Sequence, residues 1–278
     1  MLDTPTSSTS HSARLIPALA LGALALAAFL MLHSPSQSST PALAAAPPPA
    51  GSIAVVELFT SQGCSSCPPA DRLLSEIAAE PAFAGKVVPL AYHVDYWDYI
   101  GWTDPFSSAD WSARQKQYAQ AYNTNRIYTP QLVVNGTEEM TGSEERKVRA
   151  AIAKALAEKP AVDLDLTVEK TPAGLRAKVT ASHAGALPRD ADVLVALVEN
   201  GLVTKVGRGE NGGRTLKNDA VVRRLLRAFA LGAAPGGHGT GSVDLQVGEA
   251  TAGRKLGVAA FVQDPKTKAI QGGAIRWL

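Results

Sequence analysis

Between residues 51 and 160 the apolar positions fall in short runs separated by stretches of helical spacing. Ile53 to Phe59 is an apolar run with β-branched residues, interrupted by the acid Glu57, and predicts a buried strand. Ser61-Gln62-Gly63 reads as a turn. From Ala70 onward, Leu73, Leu74 and Ile77 recur on one face of a helix, and Pro68 and Pro69 suit its first turn, where no N–H is needed. Val87 to Val94 predicts a second strand and Ser108 to Tyr122 a polar helix. Gln131 to Val134, Asn135-Gly136 and Thr137 to Thr141 predict a hairpin, because Asn-Gly favours a type I′ turn. Ser143 is placed to cap a last helix reaching about Lys159, with Glu144 and Glu145 in its first turn.

After Pro160 the period changes to two. Val162, Leu164, Leu166 and Val168 alternate with Asp163, Asp165, Thr167 and Glu169, and Leu175, Ala177, Val179 and Ala181 alternate with polar neighbours. Further strands are predicted at Val193–Glu199, Leu202–Val206, Ser242–Val247, Leu256–Gln263 and Ile270–Trp277. One helix is expected among them over 219–230, capped by Asp219 and carrying Val221, Val222, Leu225 and Phe229. The fold class is therefore an α/β domain over 51–160 followed by a mostly-β, sandwich-like domain over 161–278.

The chain has 278 residues, 46% of them hydrophobic, enough to bury a substantial core. With 27 basic and 25 acidic side chains the net charge is only +2, which gives no reason to expect nucleic acid as a partner. Residues 1–50 stand apart from the fold. Arg14 precedes an apolar run from Leu15 to Leu32, and a Pro/Ser/Ala-rich linker follows. The run reads as a signal peptide, cut near Ala42-Leu43-Ala44, or as an uncleaved membrane anchor. Both place the rest of the chain outside the cytoplasm, in the periplasm or tethered to the membrane facing it.

Export changes what the two cysteines mean. Close thiols in an oxidising compartment form a disulfide, and a loop this short restrains the unfolded chain very little. The value of Cys64-Ser65-Ser66-Cys67 is therefore chemical. A C-x-x-C after a strand and opening a helix meets unpaired N–H groups and a partial positive charge, which favour thiolate on the first cysteine. Cys64 would attack and Cys67 would resolve the mixed disulfide. The alternatives are a metal site and an inert bridge. No second cysteine pair is present for zinc, although His93 and Asp95 could join the thiols in a copper or zinc site, making the protein a metallochaperone. The thiol chemistry itself calls for no cofactor.

Three features besides the cysteines resemble the thioredoxin-like superfamily: Glu57 in the preceding strand, the segment Arg126 to Gly136 containing Thr129-Pro130, and the closing helix over 143–159. The resemblance covers 51–160, with an apparent insertion around 95–112. It implies a cis Pro130 facing the dithiol and a Thr129 backbone that pairs with an extended substrate peptide. It also implies Glu57 as a buried proton acceptor for Cys67, the alternative being a strand-end acid facing solvent. Partners would be protein thiols or disulfides and a redox partner. The stretches Val56 to Asp71, His93 to Asp98 and Gly209 to Leu216 are more narrowly similar to DUF1223, a family without a settled substrate. The region Tyr92 to Tyr128 holds all six tyrosines and three of the four tryptophans. Tyr96, Trp97, Tyr99 and Trp102 in the insertion are read either as an apolar lip receiving polypeptide beside Cys64 or as packing for the insertion. Region 208–227, with six basic and two acidic residues, reads as a solvated face. The neutral Ser65-Ser66 pair leads us to expect a reduction potential between the reductase and oxidase extremes.

Overall fold

Strand β1 (Ala54–Thr60) is buried along its whole length, which is why it reads as an apolar run. Its alternate side chains serve two cores. Ala54, Val56 and Leu58 pack with helices α1 (Pro68–Ala79) and α3 (Glu145–Ala157), whereas Val55 and Phe59 pack with α2 (Ala109–Ala121). A computed structural model describes residues 51–247 and 255–278; the expected signal peptide or anchor over 1–50 lies outside the described residues.

Strand β2 (Val87–His93) lies parallel to β1, and β3 (Gln131–Val134) lies antiparallel on its other side, followed by β4 (Glu138–Thr141). The helix expected over 108–122 starts after Ser108, whose side chain accepts from the Asp110 N–H. Its polar sequence conceals a buried face carrying Trp111, Arg114, Gln115 and Tyr118. Ser143 does not cap α3, which begins at Glu145 with no side-chain cap.

The later strands are β5 (Asp163–Thr171), β6 (Gly174–Ser182), β7 (Ala191–Asn200), β8 (Leu202–Lys205), β9 (Thr215–Asn218), β10 (Val221–Leu231), β11 (His238–Gln246), β12 (Lys255–Gln263) and β13 (Ile270–Trp277). They do not form a separate sandwich. One eight-stranded sheet runs β13-β12-β7-β10-β2-β1-β3-β4, with β10 parallel to β2 through Val221 opposite Ala91. Residues on either side of position 160 thus share one sheet, and the described residues fall in one compact unit. Sandwich-like packing is present within it. The sheet β11-β6-β5 covers Val193, Val195 and Leu197 on one face of β7, while Ala196 and Val198 on the other face join the core of α2.

The helix expected over 219–230 is strand β10. Two register shifts, between Val222 and Arg224 and between Arg227 and Phe229, break its alternation. Each bulge adds one residue to the period, so Val222, Leu225 and Phe229 fall at spacings that imitate a helix. Asp219 accepts from the Gly201 N–H instead of capping, and the Ala220 N–H donates to Asn200 Oδ1.

The Asn135-Gly136 turn has positive φ at both residues, 46° and 73°, as a type I′ turn requires. Asn135 fastens it to its neighbours: its Oδ1 accepts from the Val55 N–H at 2.8 Å, and its backbone carbonyl accepts from the Ile270 N–H at 2.9 Å. A Cβ on Gly136 would overlap the Lys268 carbonyl. Gly136→Ala should therefore cost about 3 kcal/mol and lower Tm by roughly 6–12 °C; an unchanged thermal melt would show that the β3–β4 turn is not held against Lys268.

Candidate functional site

Beyond Thr60 the chain turns through Ser61, Gln62 and Gly63 and enters α1 at the two cysteines. Gln62 is buried and its polar groups are each occupied. Its N–H donates to Asp104 Oδ2 at 2.7 Å and its Nε2 to Asn218 Oδ1 at 2.9 Å. Its Oε1 accepts from Trp102 Nε1 at 3.3 Å, and its backbone carbonyl from Asn211 Nδ2 at 2.9 Å. The loop is thereby fastened to the 95–112 insertion and to the C-terminal half together.

Cys64 and Cys67 are joined as a disulfide with Cα atoms 5.5 Å apart. Cys67 is the N-cap residue of α1, with Pro68 and Pro69 in the first turn. Its carbonyl accepts from the N–H groups of Ala70 at 2.8 Å and Asp71 at 3.1 Å. Both cysteines are buried, Cys64 being 1% exposed, whereas Ser65 and Ser66 face solvent. The Thr129–Pro130 peptide bond is cis, and the Thr129 carbonyl oxygen lies 3.9 Å from Cys64 Sγ. Trp97 Nε1 donates to Thr129 Oγ1 at 2.8 Å, and the Trp97 Cβ lies 3.0 Å from where a Cβ on Gly63 would sit. Trp97 therefore bridges the two segments that frame the disulfide. Tyr96 and Trp102 are tied in as well, through Gln115 and Gln62; Tyr99 is 83% exposed.

Buried titratable groups lie near the start of α1. Asp71, one helical turn beyond Cys67, accepts from Thr60 Oγ1 at 2.7 Å. Burial pushes its carboxyl up to about 6 from an ordinary 3.8, against the opposing pull of His93. His93 Nδ1 meets Asp104 Oδ2 at 2.7 Å. Burial opposes charge on both, but each holds the other ionised: His93 is raised and Asp104 lowered. His93 Nε2 has no hydrogen-bond partner among the described residues.

The loop between β8 and β9 closes the site from the other side. Asn211 is fully buried, and its Nδ2 donates to the carbonyls of Gln62 and Cys64, each at 2.9 Å. Arg214 Nη1 donates to Asn211 Oδ1 at 2.7 Å, and Glu210 Oε2 accepts from the Ser65 N–H at 2.9 Å. This is the segment read from sequence as a solvated face.

Of the residues singled out in the sequence, Cys64, Cys67, Thr129, Pro130 and Trp97 come together here. Glu57 does not. It is buried, but it points to the α2 face, where Arg114 Nη2 meets its Oε1 at 2.6 Å and the Tyr118 hydroxyl donates to its Oε2. Arg114 lies 5.3 to 5.6 Å from the ring centroids of Tyr92, Tyr118 and Phe261 and also reaches Gln263. Glu57 is thus half of a core ion pair, and the buried acid closest in sequence to Cys67 is Asp71. Its signal was available, since a residue four positions into a helix shares a face with the helix opening. Gln62, Glu210 and Asn211 lie in the stretches similar to DUF1223, but neither they nor Asp104 had a local signal of their roles, because their partners are distant in sequence. Nor do His93 and Asp95 make a metal centre with the thiols: among the described residues no three His, Cys, Asp or Glu side chains converge as a ligand set. Asp95 is instead bonded to Ser112, at 2.5 Å.

A family model described as a protein of unknown function, DUF1223, matches residues 55–263. Among solved structures, a crystallised protein from Agrobacterium tumefaciens is similar at 28% identity and TM-score 0.61, over 80% of this chain and 92% of that one. HBP35 of Porphyromonas gingivalis is similar in fold at 14% identity and TM-score 0.56, over 81% of this chain and 75% of that one. No curated protein matches the chain.

Two substitutions separate the roles of these buried polar groups. Gln62→Leu leaves Asn218 Oδ1 and the Trp102 indole without their bonds, and should cost about 2–4 kcal/mol in chemical denaturation, with a shift in tryptophan fluorescence. Glu57→Ala strands the Arg114 charge and should cost about 3–5 kcal/mol while leaving the reduction potential of the dithiol unchanged; a changed potential would restore Glu57 to the site.

Proposed function

We propose that this chain, which belongs to the DUF1223 family, is an exported thiol–disulfide oxidoreductase that exchanges its Cys64–Cys67 disulfide with cysteine pairs of other proteins. The observation that carries the reading is the placement of that disulfide at the N-terminus of α1, with the Thr129 carbonyl against Cys64 Sγ. A helix N-terminus favours the thiolate formed when the bond opens. The order β2-β1-β3-β4, the helix between β1 and β2 and the cis bond before β3 support reading 51–160 as a thioredoxin-like unit. Export rests on the apolar run Leu15 to Leu32 and the linker after it.

In the oxidising direction a substrate thiolate attacks Cys64 Sγ, the Cys64–Cys67 bond breaks, and Cys67 departs as thiolate and takes up a proton. A second substrate thiolate then attacks the substrate sulfur of the mixed disulfide. Cys64 leaves as thiolate, and two electrons have passed from substrate to protein. The reverse sequence reduces a substrate disulfide, with Cys64 attacking and Cys67 resolving. Asp71, titrating near neutrality one turn beyond Cys67, is the residue we assign to exchange the Cys67 proton. Thr129, against the sulfur, and Trp97, bonded to Thr129, are assigned to substrate docking. The alternative in which the same thiols carry copper or zinc draws no third ligand from the described residues.

Incubation with glutathione redox buffers and a reduced protein substrate tests the reading. Cys67→Ser should accumulate a mixed disulfide on Cys64, and Cys64→Ser should form none. Failure of Cys67→Ser to trap any thiol partner would sink the proposal. Asp71→Asn should slow exchange about 10²-fold at pH 7. It also carries a stability signature. The folded carboxyl keeps its proton up to about pH 6 and an ordinary one only to 3.8, so the folded state binds more protons between these values. Its stability contribution is complete below pH 3.8 and is lost as the pH rises through 6. Asp71→Asn should remove that slope, gaining on the order of 2–3 kcal/mol relative to wild type between about pH 4 and 7; parallel pH–stability curves would exclude the assignment.

A further inference from the structure

The loop Arg208 to Arg214 touches the dithiol in two ways that differ in kind. Asn211 is a structural fastening: it is buried, satisfies two backbone carbonyls and is itself held by Arg214. The loop is shaped for this by its own bonds, from the N–H of Gly213 to Val206 O at 2.8 Å and of Gly212 to Gly209 O at 3.0 Å. Trp102 fills the space beneath, 3.3 Å from where a Cβ on Gly209 would sit.

Glu210 is exposed, and no burial obliges it to lie where it does. Yet its carboxylate reaches back to the Ser65 N–H at 2.9 Å, and the Ser65 side chain and this N–H together hold the carboxyl below its ordinary range. Ser65 is the residue after Cys64, so a negative charge is held on the backbone next to the attacking cysteine, just before the end of α1 whose partial charge is positive. No cation pairs with Glu210 among the described residues. Arg214, the basic side chain bonded nearby, is committed to Asn211. The buried titratable groups near the start of α1 are Asp71 and the mutually neutralising His93–Asp104 pair, neither of which supplies a net positive charge.

We propose that Glu210 is a positioning residue that acts through Cys64: its carboxylate, held on the Ser65 N–H, opposes the Cys64 thiolate and biases the pair towards the disulfide. The proposal rests on the oxidoreductase reading and deepens it, because a dithiol less stable when reduced gives up its two electrons more readily. Glu210 thus tilts the protein towards reducing substrate disulfides, against the thiolate-stabilising field of α1. The device comes from the C-terminal half of the chain, which gives that half a role in the chemistry beyond covering the sheet.

The test compares wild type with Glu210→Gln, which keeps an acceptor for the Ser65 N–H and removes only the charge. The Cys64 thiol is titrated in each reduced protein by the pH dependence of its alkylation with iodoacetamide. The potential is read in glutathione buffers at a pH where Cys64 is ionised in both. The expected result is a Cys64 titration lower by about one pH unit in Glu210→Gln, a tenfold gain in thiolate. The potential should then be about 30 mV less negative, by the two-electron conversion. Both differences should shrink at about 1 M salt, since the charge is exposed. Equal titrations, or a shift to higher pH in Glu210→Gln, would overturn the proposal. If neither protein exchanges with glutathione at all, the oxidoreductase reading fails, and the alkylation titration still decides the role of Glu210.

Discussion

The site depends on one buried amide side chain. Gln62 lies where β1 ends and the cysteine loop begins, and a polar residue can be buried there only if its groups are bonded. Its partners are Asp104 and Trp102 from the insertion and Asn211 and Asn218 from the C-terminal half. Three separate stretches of chain must therefore be in place before the loop before Cys64 has a settled shape. Leaving any of these groups unpaired costs more than the bond itself contributes when made, so the arrangement is specific as well as stabilising.

That convergence is possible because the sheet is continuous. β10 lies beside β2, and the Ala91 N–H donates to the Ala220 carbonyl at 2.8 Å. The chain just before β10 is thereby brought to the end of the sheet where β1 delivers the cysteines. The β8–β9 ribbon and its loop stand over α1, and Asn211 and Glu210 reach the dithiol from there. A free-standing β domain on a linker would not fix these contacts.

The two faces of β1 divide the electrostatics. On the α2 face, Glu57, Arg114 and Tyr118 form a closed set in which charge is balanced and stacked against aromatic rings. At the α1 end, Asp71 is buried with no ion pair among the described residues and titrates at about 6, while His93 and Asp104 balance one another. A carboxyl poised near neutral pH can exchange a proton; one held in a tight ion pair cannot do so readily. The difference between Glu57 and Asp71 follows from which neighbours each face supplies.

Local pattern was sufficient for most elements. β1, β2, α1, the Asn135-Gly136 hairpin and the alternating strands β5 and β6 are legible because burial imposes periods of two and about 3.6 on the chain itself. The cysteine pair and its place at a helix start are legible for the same reason, being contiguous. The helix expected over 219–230 failed because two bulges in β10 imitate helical spacing, and a bulge is imposed by the strand alongside, β7, not by the residues that carry it. For Glu57 the sequence left a buried acid and a solvent-facing one both open; it is buried, and the side it faces depends on a partner 57 residues away. Asn211 and Glu210 lie 147 and 145 residues from the groups they bond in the cysteine loop. The sequence by itself thus determined that a dithiol opens a helix after a buried strand. Only the tertiary structure decided which acids surround it, because hydrogen bonds and charges act through space, and no spacing along the chain records who meets across a sheet.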